Sequence, residues 1–218
     1  YRIGDVYTVT NALGHVTTFA EFDAGGRPLK IVDANGLETL LEYWPRGWIK
    51  KRRVGTAAAG YEATLYDYDF TGLLTKVTLP DASFVQYTYD SAHRLTDVQD
   101  GLGNRIHYTL DGAGNRTQED AYDQGNVLSR THGRVIDALN RVQKEIGGTT
   151  PATQVTQQGF DGKGNLTSIT DPLARVTSQE FDALNRLKAV KDPFNGTGNP
   201  TGYAYNGQDL LTQVTDPT

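Results

Sequence analysis

The sequence contains no cysteine and no methionine, and only two tryptophans in 218 residues. Without cysteine there are no disulfides and no thiolate metal sites, but this leaves the compartment open, because cysteine-free chains occur in oxidising and reducing surroundings alike. The missing methionine, absent even at residue 1, suggests a mature product or an excised piece. No apolar run approaches the roughly 20 residues that a membrane-spanning helix needs, and no signal peptide is visible. A net charge of −5 argues against a general nucleic-acid binder or a membrane-surface protein. No Gly-x-Ser-x-Gly, phosphate loop or dinucleotide fingerprint occurs, so the common nucleophile and nucleotide chemistries have no anchor.

What is present points to strands. Hydrophobic residues make up 37% of the chain, with 24 Gly and with 12 Tyr against 7 Phe. That is too polar for a tightly filled α/β enzyme and too rich in aromatic and β-branched residues for a disordered chain. Strands with at least one wet face fit both facts.

Residues 66–77 read YDYDFTGLLTKV and residues 87–98 read YTYDSAHRLTDV. With the Asp of this stretch as position zero, equivalents fall at Asp23, Asp69, Asp90, Asp111, Asp137, Asp161 and Asp182, while Trp44 and Asn206 fill two further slots. The gaps along the chain are 21, 25, 21, 21, 26, 24, 21 and 24 residues, an array of nine units with a base period of 21. The preceding position is always large and apolar-bodied: Phe22, Tyr43, Tyr68, Tyr89, Leu110, Ile136, Phe160, Phe181 and Tyr205. Three residues after position zero come Gly26, Gly47, Gly72, His93, Gly114, Asn140, Gly164, Asn185 and Asp209, all types that tolerate positive φ.

The spacing predicts a type I turn opened by the Asp, whose carboxylate bonds the next backbone amides, followed by a left-handed residue in a G1-type bulge. A second turn lies near Asp33–Gly36, Asp100–Gly103, Asp171–Ala174 and Asp192–Asn195, and Asn11–Gly14 reads as the end of a unit whose start is missing. Ala174, and Ala82 in LPDAS, stand where Gly is expected. Each unit is therefore two strands and two turns, with about six residues per strand. The Gly/Thr/Ala/Pro-rich insertions at 53–63, 123–133, 146–154 and 194–202 read as edge loops, because the period resumes after each.

The stretches YDYDFTGLLTKVTLPD, YTYDSAHRLTDVQDGLGN, FDAGGRPLKIVDANG, FDGKGNLTSITDPLAR and FDALNRLKAVKDPFN resemble YD repeats. These mark rearrangement-hotspot (Rhs) proteins, the C components of insecticidal toxin complexes and the teneurin shell. The resemblance covers residues 1–218 as one repeat array, truncated at both ends. It implies an all-β fold, a continuous antiparallel sheet of about nine hairpins that spirals as a fragment of a hollow β-shell. It also implies a non-catalytic, secreted or cell-surface bacterial protein whose full-length form encloses a C-terminal toxin polypeptide. No cofactor is expected, and exposed sheet edges are expected to favour self-association.

Two sets of residues are candidates for function. The turn residues Asp23, Gly26, Asp69, Gly72, Asp90, His93, Asp111, Gly114, Asp137, Asn140, Asp161, Gly164, Asp182 and Asn185 are read as structural, because regularly repeated copies are the wrong pattern for an acid/base pair. The tyrosines Tyr66, Tyr68, Tyr87, Tyr89, Tyr108, Tyr203 and Tyr205 are expected to stack on equivalents two strands away as a ladder. That ladder could contact a partner or a glycan, as in a carbohydrate-binding adhesion module. The four His show no metal-ligand spacing. Lys50–Arg53 divides its charge between two strand faces, and the Asp-Pro pairs at 171–172, 192–193 and 216–217 are explained by turns. Asn115, Asn165 and Asn195 open sequences that match glycosylation sequons.

Overall fold

The computed structural model describes residues 6–148, 154–194 and 199–216. Asn195, Pro217 and Thr218, and parts of the insertions at 146–154 and 194–202, lie outside the described residues. Among the described residues there are nineteen strands and no helix. The chain divides into two compact units, Tyr1–Arg105 and Ile106–Thr218.

The first unit contains β1 (Thr8–Thr10), β2 (Val16–Phe22), β3 (Pro28–Val32), β4 (Glu38–Tyr43), β5 (Ile49–Thr56), β6 (Gly60–Tyr68), β7 (Leu74–Thr78), β8 (Phe84–Tyr89) and β9 (Leu95–Asp100). Each strand pairs antiparallel with the next in sequence. β10 (Arg105–Leu110) leads into the second unit. There β11 (Arg116–Tyr122), β12 (Leu128–Ile136), β13 (Val142–Gly148), β14 (Gln154–Phe160), β15 (Leu166–Thr170), β16 (Val176–Phe181), β17 (Leu187–Lys191), β18 (Thr201–Tyr205) and β19 (Leu211–Thr215) follow the same rule. Sequential antiparallel pairing is what short strands joined by tight turns produce.

Along β6–β9, alternation gives the two faces of the sheet different central rows. Register aligns Tyr66 with Val77, Val77 with Val85, and Tyr87 with Val98, so these side chains share one face. The opposite face aligns Asp67, Lys76, Gln86 and Gln99. Among the described residues no second layer covers either face within a unit. Among the described residues only Ala189 and Asp120 are buried, each 7% exposed. Stability therefore comes from half-buried contacts between neighbouring strands rather than from a central core.

The insertions correct one expectation. Residues 53–56 and 60–63 are not an edge loop but the paired ends of β5 and β6, with Arg53 opposite Ala63 and Thr56 opposite Gly60. The Gly content there reflects close approach. A Cβ on Gly55 would overlap the Gly60 carbonyl oxygen. Likewise Asp123–Asn126 is a turn, and the residues after it extend β12, whose His132 and Gly133 pair with Glu119 and Gln118 of β11. The extra residues lengthen hairpins because both arms grow together and satisfy each other's backbone groups.

Candidate functional surface at the hairpin turns

The turn at Asp90 shows how each hairpin closes. The Asp90 amide donates to the Arg94 carbonyl at 2.9 Å, and the His93 amide donates to the Asp90 carbonyl at 3.0 Å. Asp90 Oδ1 accepts from the amides of Ala92 and Arg94, each at 2.9 Å, and Oδ2 accepts from Arg94 Nε at 2.8 Å. The same main-chain pair of bonds closes the turns at Asp23, Asp69, Asp111, Asp137, Asp161 and Asp182. Donors aimed at these carboxylates hold all seven below the usual carboxylate range. For Asp23, Asp90, Asp137 and Asp182 the largest cause is the backbone amide of the Arg four residues on. For Asp111 and Asp161 it is the side chain of Asn115 or Asn165, and for Asp69 the Thr71 hydroxyl.

Every residue three after position zero is left-handed, from φ 60° at Asn140 to 101° at Gly72, with His93 at 63°. Ala82 and Ala174 also take up this conformation, at 68° and 60°. Their turns close with the Ala82 amide on Leu79 and the Ala174 amide on Asp171, so the missing Gly costs strain without abolishing the turn. Beyond the turn the register shifts by one residue, as between Thr88 and Tyr89 or Asp67 and Tyr68. Several of these bulges carry a hydroxyl that donates across the ladder, such as Thr96 Oγ1 to the Thr88 carbonyl at 3.2 Å.

In six units the residue four after position zero joins one unit to the next, a role its sequence slot did not advertise. Arg27 bonds Asp23 and lies over the Tyr43 ring at 4.9 Å. Arg141 bonds Asp137 and lies over Phe160 at 4.2 Å. Arg186 bonds Asp182, covers Tyr205 at 4.7 Å, and reaches Asp209 Oδ1 at 2.7 Å. Where the slot holds Asn, Asn115 and Asn165 donate both to their own Asp and to Asn140 or Asn185 of the following turn. Where it holds Trp48, the ring packs on Tyr68 at 5.4 Å between centroids, and a Cβ on Gly72 would stand 2.6 Å from it. The signal that could have revealed this slot was its predominance of Arg, Asn and Trp, planar groups that stack or fork, with Leu only at Leu73 and Leu210.

The tyrosines do not form the expected ladder. Among the described residues no two of Tyr66, Tyr68, Tyr87, Tyr89, Tyr108, Tyr203 and Tyr205 are in ring contact. Equivalent strands stand about 9.5 Å apart, beyond the ~4.5–7 Å at which rings interact. Their neighbours are of other kinds: Trp48 on Tyr68, Arg186 over Tyr205, and Arg116 over Tyr108 at 3.9 Å. Three of the tyrosines just before a turn also use their hydroxyls. Tyr43, Tyr89 and Tyr205 donate to the carbonyls of Pro28, Leu74 and Leu187 at 2.9, 2.8 and 2.9 Å. Each acceptor is the first residue of the strand that follows the preceding unit's turn, where the ladder is interrupted. Burial pushes the Tyr43, Tyr68 and Tyr89 phenols up.

Among the described residues no group of three or more His, Asp or Glu side chains is placed to hold a metal ion. Among the described residues no helix is long and apolar enough to cross a membrane. The Lys50–Arg53 run does alternate, with Lys51 opposite Glu42 and Arg52 opposite Leu41. The amide nitrogens of Asn115 and Asn165, the atoms a glycan would modify, are already committed to two hydrogen bonds each.

Hairpins that repeat every 21 to 26 residues, closed by one turn chemistry and stitched by one inter-unit slot, define a β-repeat protein of the extended-sheet class. The chain belongs to the RHS repeat family, whose profile matches residues 68–105, 89–127, 160–197 and 181–218, together more than half of the sequence. Similar solved structures are of toxin-complex components. A crystal structure of TcdB2-TccC3 without its hypervariable C-terminal region aligns at TM-score 0.64 and 18% identity over 92% of this chain. The TcdB2-TccC3-Cdc42 crystal structure aligns at 0.60 and 15% over 90%, and the Photorhabdus luminescens Tc holotoxin pore at 0.59 and 15% over 90%. The chain spans only 12–13% of those neighbours' length. No curated protein matches it in sequence.

Proposed function

We propose that this chain is a stretch of the wall of a hollow β-shell, with no catalytic site of its own, in a secreted or cell-surface protein whose full length encloses a C-terminal toxin polypeptide. Residues 1–218 act as one repeat array in this reading. The observation that carries it is a sheet of sequentially paired hairpins with almost no buried core among the described residues. Such a sheet can line a volume without collapsing into it, because its stability is a sum of terms between neighbouring hairpins. The likeness in fold to toxin-complex chains, one of them solved without its hypervariable C-terminal region, supports the same reading.

The test is limited proteolysis of the full-length natural protein, with fragments mapped by mass spectrometry. A segment C-terminal to the repeats should resist cleavage until the repeats are opened by denaturant. Cleavage of that segment at the rate of an exposed polypeptide, with the repeats intact, would overturn the proposal.

A further inference from the structure

Three asparagines are followed by glycine: Asn35, Asn195 and Asn206. Of these, Asn206 occupies position zero of a repeat, the slot that holds aspartate in seven of the nine units. An asparagine before glycine can lose its side-chain amide without an enzyme, because glycine has no side chain to hinder attack by its own nitrogen. The attack needs a free backbone N–H that can lose its proton, and a polarised side-chain carbonyl.

The turn at Asn206 supplies both. The Gly207 amide donates to no acceptor among the described residues, and a Cβ at Gly207 would meet nothing within 4 Å. The oxygen of the same peptide group accepts from the Asp209 amide at 3.2 Å and from Arg186 Nη1 at 3.3 Å. A deprotonated amide spreads its charge onto that oxygen, so a guanidinium there favours loss of the proton. Asn206 Oδ1 accepts from the amides of Gln208 and Leu210 at 2.9 and 3.0 Å. These donors polarise Cγ and face the oxygen on which negative charge grows during attack, as an oxyanion hole does.

At Asn35 the arrangement is reversed. The Gly36 amide is committed to the Asp33 carbonyl at 3.1 Å, and the Asn35 side chain has no hydrogen-bond partner among the described residues. Asn35 is exposed and Asn206 half-buried, so access alone would favour Asn35.

We infer that Asn206 is a self-modification site, deamidated by the Gly207 nitrogen with the help of its own turn and Arg186. Solvent base takes the Gly207 amide proton, the nitrogen bonds to Asn206 Cγ, and the Cγ–Nδ2 bond breaks to release ammonia. Water then opens the succinimide. Addition at Cγ breaks the new Cγ–N bond and leaves a carboxylate at 206, whereas addition at the other ring carbonyl gives isoaspartate. The aspartate product gives this unit the carboxylate that closes the turn at Asp90, with stronger, charge-assisted bonds to the same two amides. The inference does not rest on the shell reading.

The 218-residue chain is incubated in mildly alkaline buffer, folded and in urea, and digested with chymotrypsin. Tandem mass spectrometry follows the amide-to-acid conversion at each asparagine, which also separates Asn195 from Asn206. In urea Asn35 and Asn206 should convert at one rate, since glycine follows both. In the folded chain Asn206 should convert no slower than in urea and about tenfold faster than Asn35. Arg186→Gln should slow Asn206 severalfold, with the strand signal in circular dichroism retained. Slower conversion of Asn206 in the folded chain than in urea, equal folded-state rates at the two sites, or an unaltered rate in folded Arg186→Gln would each overturn the inference.

Discussion

The Tyr89 hydroxyl donates to the Leu74 carbonyl at 2.8 Å, across the bulge that follows the preceding turn. This bond explains why a tyrosine stands where a core would take leucine. In a sheet with almost no buried core the ring body covers apolar neighbours, while the hydroxyl satisfies a carbonyl where the ladder is interrupted. Tyr89→Phe keeps the ring and removes the bond. The expected loss is about 0.5–1.5 kcal/mol in urea unfolding, whereas Tyr87→Phe, whose hydroxyl has no partner among the described residues, should be neutral.

Gly72 combines a φ of 101° with the Trp48 ring against its Cα, whereas Gly14 has a φ of 82° and open space. Gly72→Ala should cost about 2–4 kcal/mol, combining left-handed strain and overpacking. Gly14→Ala should cost about 1–2 kcal/mol from strain alone. Equal losses in chemical denaturation would remove the packing role given to the inter-unit slot.

Ala82 and Ala174 hold left-handed conformations that glycine adopts freely. Ala82→Gly and Ala174→Gly should each raise stability by about 0.5–1 kcal/mol, the relieved strain being partly offset by the freer unfolded chain. A decrease in the denaturation midpoint of both variants would contradict the strain argument.

The turn carboxylates set an acid limit. Their native pKa values lie below the unfolded value near ~3.9, so their contribution is fully present above that value and is lost as pH falls through the lower native ones. The urea midpoint should be level from neutral pH to about 5 and fall below about pH 4. Asp90→Asn keeps an acceptor for the Ala92 and Arg94 amides and should retain the turn. Asp90→Ala should loosen it, seen as faster amide exchange at Ala92 and Arg94.

Much of this architecture was legible because turn chemistry is local. Asp and a residue tolerant of positive φ, three apart and repeated, identify a hairpin from sequence alone, and His93 and Asn140 sit in that conformation. What was not legible depends on neighbours distant in sequence. The partner of Arg27 is Tyr43, and that of Arg186 is Asp209, so the joining slot looked like an ordinary strand position. The insertion at 53–63 looked like a loop because Gly55 and Gly60 suggest freedom, whereas Gly55 is there to let two backbones approach. The tyrosine ladder failed on distance, since a period of two strands is too wide for ring contact.

The most direct measurement is electron cryomicroscopy of the full-length natural protein. The account predicts a hollow enclosure whose wall contains these repeats as one sheet layer, with density for a polypeptide inside. A sheet that folds back on itself face to face, leaving no enclosed volume, would contradict it.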